Sequence, residues 1–252
     1  MSRLRIGWRL AALIGHAVLG MLIQFLFYPM LGRAMRDRFA RRWSRICLGL
    51  CAVRIEVCDG AGKPADLSAL SGALLLANHV SWLDIVVMNA TRPSHFVAKS
   101  EIRRWPVIGM LARRNGTIFI ERGRRHAVHD VIRIMVEKLR AGEVCSVFPE
   151  GTTSDGSAVL PFHANLIESA IEAPAPIVPL TLRYLDHGRP STRAAYVGET
   201  SLFDSVVSVL SAPGLSVRVI VGEALVPPHA GTRHVLGGLV REQMVGFIDA
   251  SR

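Results

Sequence analysis

His79 and Asp84 stand five residues apart in the stretch NHVSWLD. Together they hold what a general base needs: an imidazole that can take up a proton, and a carboxylate able to fix its tautomer and stabilise the imidazolium. On an ideal helix this spacing separates two side chains by about 140°, so both cannot share a face if both are helical. The pairing therefore requires His79 in a turn, with a helix starting near Ser81 and Asp84 in its first turn. Such a dyad is suited to taking a proton from a hydroxyl. Ser81-Trp82-Leu83-Asp84 also matches a capping box, in which Asp84 would bond a free backbone N–H instead.

A second cluster, PEGTTSDG (Pro149–Gly156), supplies another carboxylate, Glu150, followed by Gly151 and Thr152. Glycine allows close backbone approach to a ligand, and the N–H groups of such a turn can hold an anion or a developing oxyanion. Glu150 could bond substrate hydroxyls; the structural alternative is an ordinary glycine turn carrying a solvated acid. The third cluster, IERGRR, brings Arg122, Arg124 and Arg125, and Lys99 ends the run HFVAK. Cations there suit a phosphate or an acidic carrier protein. For Arg103, Arg104, Arg113 and Arg114 a solvated rim or a face on anionic lipid is the stronger reading.

Each cluster follows a short apolar run with the character of a strand. Expected strands are Arg54–Val57, Ala73–Ala77, His95–Ala98, Thr117–Ile120, Val144–Phe148, Ile177–Leu182, Ala194–Val197 and Leu215–Val221. Expected helices are Trp82–Ala90, Pro106–Arg114, Ala127–Arg140, Phe162–Glu172, Leu202–Leu210 and Val235–Ile248. Strands alternating with helices imply an α/β fold with a largely parallel sheet flanked by helices, and ligands in such sheets sit outside the carboxyl ends of the strands.

The chain has 252 residues, half of them apolar, and a net charge of +10. That is enough apolar material for one sizeable core, and four cysteines exclude a disulfide scaffold. The positive charge concentrates in residues 1–45 and 92–125. Between Arg9 and Arg33 lie 23 residues without a formal charge. As a helix they would run about 34 Å, roughly a bilayer's hydrocarbon thickness. His16 and Gln24 interrupt the run, Pro29 should end the helix, and arginines flank both sides, so a helix returning to the same leaflet fits better than a simple span. No small-x-small cleavage site follows, which argues against a signal peptide; a buried core helix is the blander alternative. The expected division is a membrane-attachment segment, 1–45, and a catalytic domain, 46–252.

Other chemistries find little support. Cys47 and Cys51 lack a second pair to complete a zinc site, and no metal is expected. Ser81 lacks a nucleophile elbow, and no Walker or dinucleotide loop implies ATP or NAD. No zinc-finger, RNP or recognition-helix pattern accompanies the charge, which argues against nucleic acid.

Four blocks in order resemble the glycerolphosphate acyltransferase family, in particular its lysophosphatidic acid acyltransferase branch: NHVSWLD, GTIFIERG, FPEGTTS and IVPL. The resemblance implies that His79 is the general base, oriented by Asp84, and that Arg122, Glu150 and Gly151 bind the acceptor, with Lys99 assisting. It implies O-acylation of a lysolipid, first 1-acyl-sn-glycerol-3-phosphate, from acyl-CoA or acyl-ACP as co-substrate, with no other cofactor. The partners so implied are membrane lipids and these substrates, at the inner membrane with the site facing the cytoplasm. One departure bears on the acceptor. The third block of the family usually ends in arginine, serving a phosphate, and here Thr153 stands in its place; His163 replaces a common lysine. This resembles the members that acylate lyso-ornithine lipid, an acceptor without phosphate. A non-catalytic lipid-binding protein, in which Asp84 is only a cap, is the alternative from another class.

Overall fold

In the computed structural model, which describes residues 3–106, 108–121, 125–227 and 231–250, the apolar runs assemble into a single sheet. Its strands are β1 (Arg54–Asp59), β2 (Leu74–Ala77), β3 (His95–Lys99), β4 (Ile118–Ile120), β5 (Cys145–Val147), β6 (Ile177–Asp186), β7 (Arg189–Pro190) and β8 (Leu215–Val221). The order is β1-β8-β6-β2-β5-β3-β4, with β7 beside β6. The pairs β1–β8, β6–β2, β2–β5, β5–β3 and β3–β4 are parallel, while β6 runs antiparallel to both β8 and β7. Every residue of β2 and β5 is buried, because the sheet is covered on both faces. One layer packs on Leu75, Ala77, Leu180 and Leu182, the other on Leu74, Leu76 and Ile177. The carboxyl ends of β2 and β5 therefore open on one edge of the sheet, the place where a ligand is expected.

The helices are α1 (Arg3–Leu26), α2 (Arg33–Leu50), α3 (Leu83–Thr91), α4 (Ile108–Arg114), α5 (Arg125–Arg140), α6 (Glu168–Glu172), α7 (Leu202–Leu210) and α8 (Arg233–Asp249). Two expectations are corrected. Ala194–Val197 is not a strand: Ala194 is buried in the core, but the Tyr196 N–H goes to the Val80 carbonyl at 2.9 Å instead of to a ladder. Phe162–Glu172 is not one helix. The His163 N–H is drawn to the Pro149 carbonyl at 2.8 Å, and a 3-10 turn over Ala164–Ile167 intervenes before α6.

At the N-terminus α1 stops at Leu26, and Pro29 sits in a 3-10 turn before α2 turns back. The two helices pack closely at Gly20, where a Cβ would stand 2.5 Å from Trp43 Nε1. His16 stacks on Trp43 at 4.7 Å and its Nε2 lies 3.0 Å from the Trp43 carbonyl, so the polar residue of the apolar run is satisfied by α2. Gln24 and Tyr28 both donate to Asn115 Oδ1, and Arg114 donates to the Gln24 carbonyl at 2.7 Å. Near the other end, Ile6, Leu10 and Leu13 pack against the core layer that holds Leu75 and Leu182. Ion pairs complete the attachment: Arg92–Asp37 at 3.5 Å, and Arg33 with Glu143, which also meets Lys138 and His95. Part of the second basic zone thus serves to fasten the first. α2 runs without a break through residue 45 and on to Leu50, with Leu48 in the core, so the hairpin and the sheet-covering layer share one continuous helix.

Candidate active site

Asn78 ends β2 with both groups of its side chain on β6: Oδ1 accepts from Leu182 N–H at 2.7 Å and Nδ2 donates to the Leu182 carbonyl at 3.1 Å. The main chain is then free to turn, and His79 occupies that turn, as its pairing with Asp84 requires. His79 Nδ1 stands 2.7 Å from Asp84 Oδ2. A carboxylate only accepts, so Nδ1 donates and Nε2 keeps the lone pair that can take a proton. The same Oδ2 accepts from the N–H groups of Val80 and Ser81 at 2.7 and 2.8 Å, and Oδ1 accepts from Tyr184 OH at 2.7 Å. Asp84 is fully buried and acts as cap and orienting carboxylate at once. Burial, followed by the negative charge of Asp84 and the bond to it, pushes the Tyr184 phenol well above its ordinary value, so it remains a donor. The imidazole lies flat on Phe148, ring centroids 4.0 Å apart, which fixes its plane.

Glu150 comes to the same place from the end of β5. Gly151 follows with φ +68, a conformation glycine adopts without strain, and its N–H returns to the Phe148 carbonyl at 3.1 Å. Ser154 N–H then reaches the His79 carbonyl at 2.8 Å, tying this loop to the His79 turn. Glu150 is 4% exposed, and neither carboxylate oxygen has a hydrogen-bond partner of standard geometry among the described residues. Burial pushes its carboxyl up to about 7; the nearby amides of Leu160 and His79 and the charge of His79 oppose this, while Asp84 adds to it.

A folded-state value above the unfolded one means that ionising Glu150 costs stability as pH climbs from about 4.5 through about 7. Glu150→Gln removes that cost. The variant should melt about 5 °C above the parent at pH 8 and together with it near pH 4, read by thermal denaturation at both values.

The structure thus brings His79, Asp84 and the Glu150–Gly151 turn together. Thr152 belongs to the same loop and is exposed. Lys99, the last residue of β3, is exposed two strands away from β2, and no described contact joins it to His79 or Asp84. Arg122 lies outside the described residues, as do Gly123 and Arg124. Tyr184, Asn78 and Phe148 are the participants that sequence reasoning missed. Asn78 was the most accessible of them, since an asparagine directly after an apolar run is a common way to end a strand.

Residues 63–183 match the acyltransferase family model, a span that contains the His79 turn, the Glu150 loop and most of β6. A 1-acyl-sn-glycerol-3-phosphate acyltransferase of Neisseria meningitidis is 39% identical over 73% of this chain and 70% of its own length. The chain belongs to the acyltransferase family. A lyso-ornithine lipid O-acyltransferase of Pseudomonas aeruginosa is 33% identical to this acyltransferase over 87% of the chain and 84% of its own. In fold, the crystal structure of the Thermotoga maritima 1-acyl-sn-glycerophosphate acyltransferase superposes with a TM-score of 0.63 at 20% identity, covering 96% of this acyltransferase and 97% of that chain. Membership sets aside the reading of the chain as a non-catalytic lipid-binding protein.

Proposed function

We propose that this acyltransferase moves a fatty acyl group from a thioester, acyl-CoA or acyl carrier protein, to the free hydroxyl of a lysolipid at a membrane surface. The observation that carries it is the 2.7 Å contact between His79 and Asp84 at the carboxyl end of β2, beside buried Glu150. His79 Nε2 takes the hydroxyl proton as the oxygen attacks the thioester carbon. The C–S bond breaks as the C–O bond forms, and the departing thiolate receives the proton from the imidazolium. The reaction needs no acyl-enzyme, because the base acts directly on the acceptor.

Two acceptors are in view. The four sequence blocks and the Neisseria relative support 1-acyl-sn-glycerol-3-phosphate. Thr153, which offers no cation where the family pattern has arginine, supports lyso-ornithine lipid, the acceptor in the name of the Pseudomonas relative. Purified protein in mixed micelles, given each acceptor with each donor, decides between them. Turnover of one acceptor at least tenfold above the other assigns the headgroup; turnover of neither, with intact folded protein and both donors, overturns the lysolipid reading.

The N-terminal hairpin provides the membrane surface. α1 is long and apolar enough to cross a bilayer, yet it is fastened near both ends, at Ile6 to the core and at Gln24 to Arg114 and Asn115. It lies along the membrane plane, with Trp8, Leu19, Leu22, Phe25 and Leu26 exposed on its outer side. Thioester donors are made in the cytosol, so the site faces the cytoplasm, at the inner membrane.

A further inference from the structure

Thr153 commits its hydroxyl to the main chain of a distant segment. Its Oγ1 donates to the Tyr196 carbonyl. The Tyr196 N–H in turn donates to the Val80 carbonyl at 2.9 Å, and the Val80 N–H donates to Asp84 Oδ2 at 2.7 Å. Asp84 Oδ2 accepts from His79, and the His79 carbonyl receives the N–H of Ser154 at 2.8 Å. Ser154 is covalently next to Thr153, so the hydrogen bonds close on themselves: 153 to 196, 196 to 80, 80 to 84, 84 to 79, and 79 to 154. Three separate segments, after β2, after β5 and after β7, are held by one circuit that passes through the imidazole and its carboxylate.

The segment after β7 is a firm support for this. Ala194 is fully buried, the Arg193 carbonyl accepts from Ser208 Oγ at 2.9 Å, and Arg193 pairs with Asp186 at 3.2 Å. In this circuit the Thr153 hydroxyl is the side-chain link by which the support reaches the Glu150 loop among the described residues. The short threonine side chain makes this clip beside its own backbone, whereas an arginine extended toward an acceptor phosphate would carry its guanidinium several ångströms beyond that reach.

We infer that Thr153 is a positioning residue, which holds the His79–Asp84 pair and the Glu150 loop in register through the main chain of Tyr196 and makes no contact with the acceptor headgroup. This rests on His79 and Asp84 being the pair that performs the proposed acyl transfer. Misplacement by about 1 Å can cost an enzyme about 100-fold, so a clip of this kind acts on kcat.

The test compares Thr153→Val, which keeps the shape without the hydroxyl, with Thr153→Ser, which keeps the hydroxyl, each in the full chain in mixed micelles. Thr153→Val is expected to lower kcat about fivefold, the weight of one neutral hydrogen bond, with the KM of acceptor and donor within about twofold of the parent. Thr153→Ser should restore kcat. The downfield proton resonance of His79 Nδ1–H should shift or broaden in the valine variant and return in the serine one, while melting temperatures report the folded fraction. A raised acceptor KM at unchanged kcat would make Thr153 a headgroup contact and overturn the inference. So would an unchanged kcat, or a loss that merely follows the unfolded fraction with the resonance unmoved. If His79→Ala abolishes turnover while Thr153→Val changes nothing, the general base stands and only the clip falls.

Discussion

Replacing His79 by alanine should lower kcat/KM for acyl transfer by about 10²–10⁴-fold, the usual contribution of a positioned general base. Little else should change. The His79 side chain is 21% exposed and contributes one bond and one ring stack, while Asp84 retains the N–H groups of Val80 and Ser81 and the Tyr184 hydroxyl. The variant is therefore expected to fold and to bind membranes like the parent. Thiol release from the donor, followed with a chromogenic disulfide reagent, gives the rate directly. Turnover within about threefold of the parent would remove the imidazole from the chemistry and leave Asp84 as a helix cap.

The second large effect concerns attachment. Changing Leu22 and Phe25 together to glutamate should lower partitioning onto vesicles containing anionic lipid by about 100-fold. These side chains are 53% and 62% exposed, so they are available to lipid and contribute little to the protein's own core. Burying one large apolar side chain is worth about 1.5–3 kcal/mol, and a partly immersed pair forfeits about 3 kcal/mol when made charged. The arginines near the start of α1 retain their attraction for anionic headgroups, each about 1 kcal/mol at the surface, so residual binding should become strongly salt-dependent. Vesicle flotation measures the loss and thermal melting verifies the fold. Undiminished flotation at high salt would mean that this face of α1 does not meet the bilayer.

Elements set by local pattern were legible from the residues alone. Leu202–Leu210 and Leu215–Val221 have the expected ends because Ser201 caps one and uninterrupted apolar alternation defines the other. The His79–Asp84 pair was legible for a similar reason: its two members are five residues apart, so a turn followed by a helix start suffices to bring them into reach. Ala194–Val197 was misread because its alanines serve the core while its backbone serves Val80, a partner more than a hundred positions earlier in the chain. Tyr184 and the clip of Thr153 escaped notice likewise, since they meet their partners across 100 and 43 residues. The direction of the hairpin was only partly readable. Arginines on both flanks favoured a returning helix over a plain span, yet nothing in the sequence indicated that Asn115 would receive Gln24 and Tyr28.

Asn78 has one further effect. By presenting an acceptor and a donor to Leu182, its amide imitates a peptide group, and the seam between β2 and β6 extends one rung beyond the point at which the backbone departs. Aspartate could offer only the acceptor, and glutamine carries its amide one methylene too far out. Transplanting the catalytic corner onto another scaffold would therefore fail unless the asparagine and a facing strand travelled with it. The smallest portable unit is not the histidine and its carboxylate but that corner together with the neighbour it is stitched to.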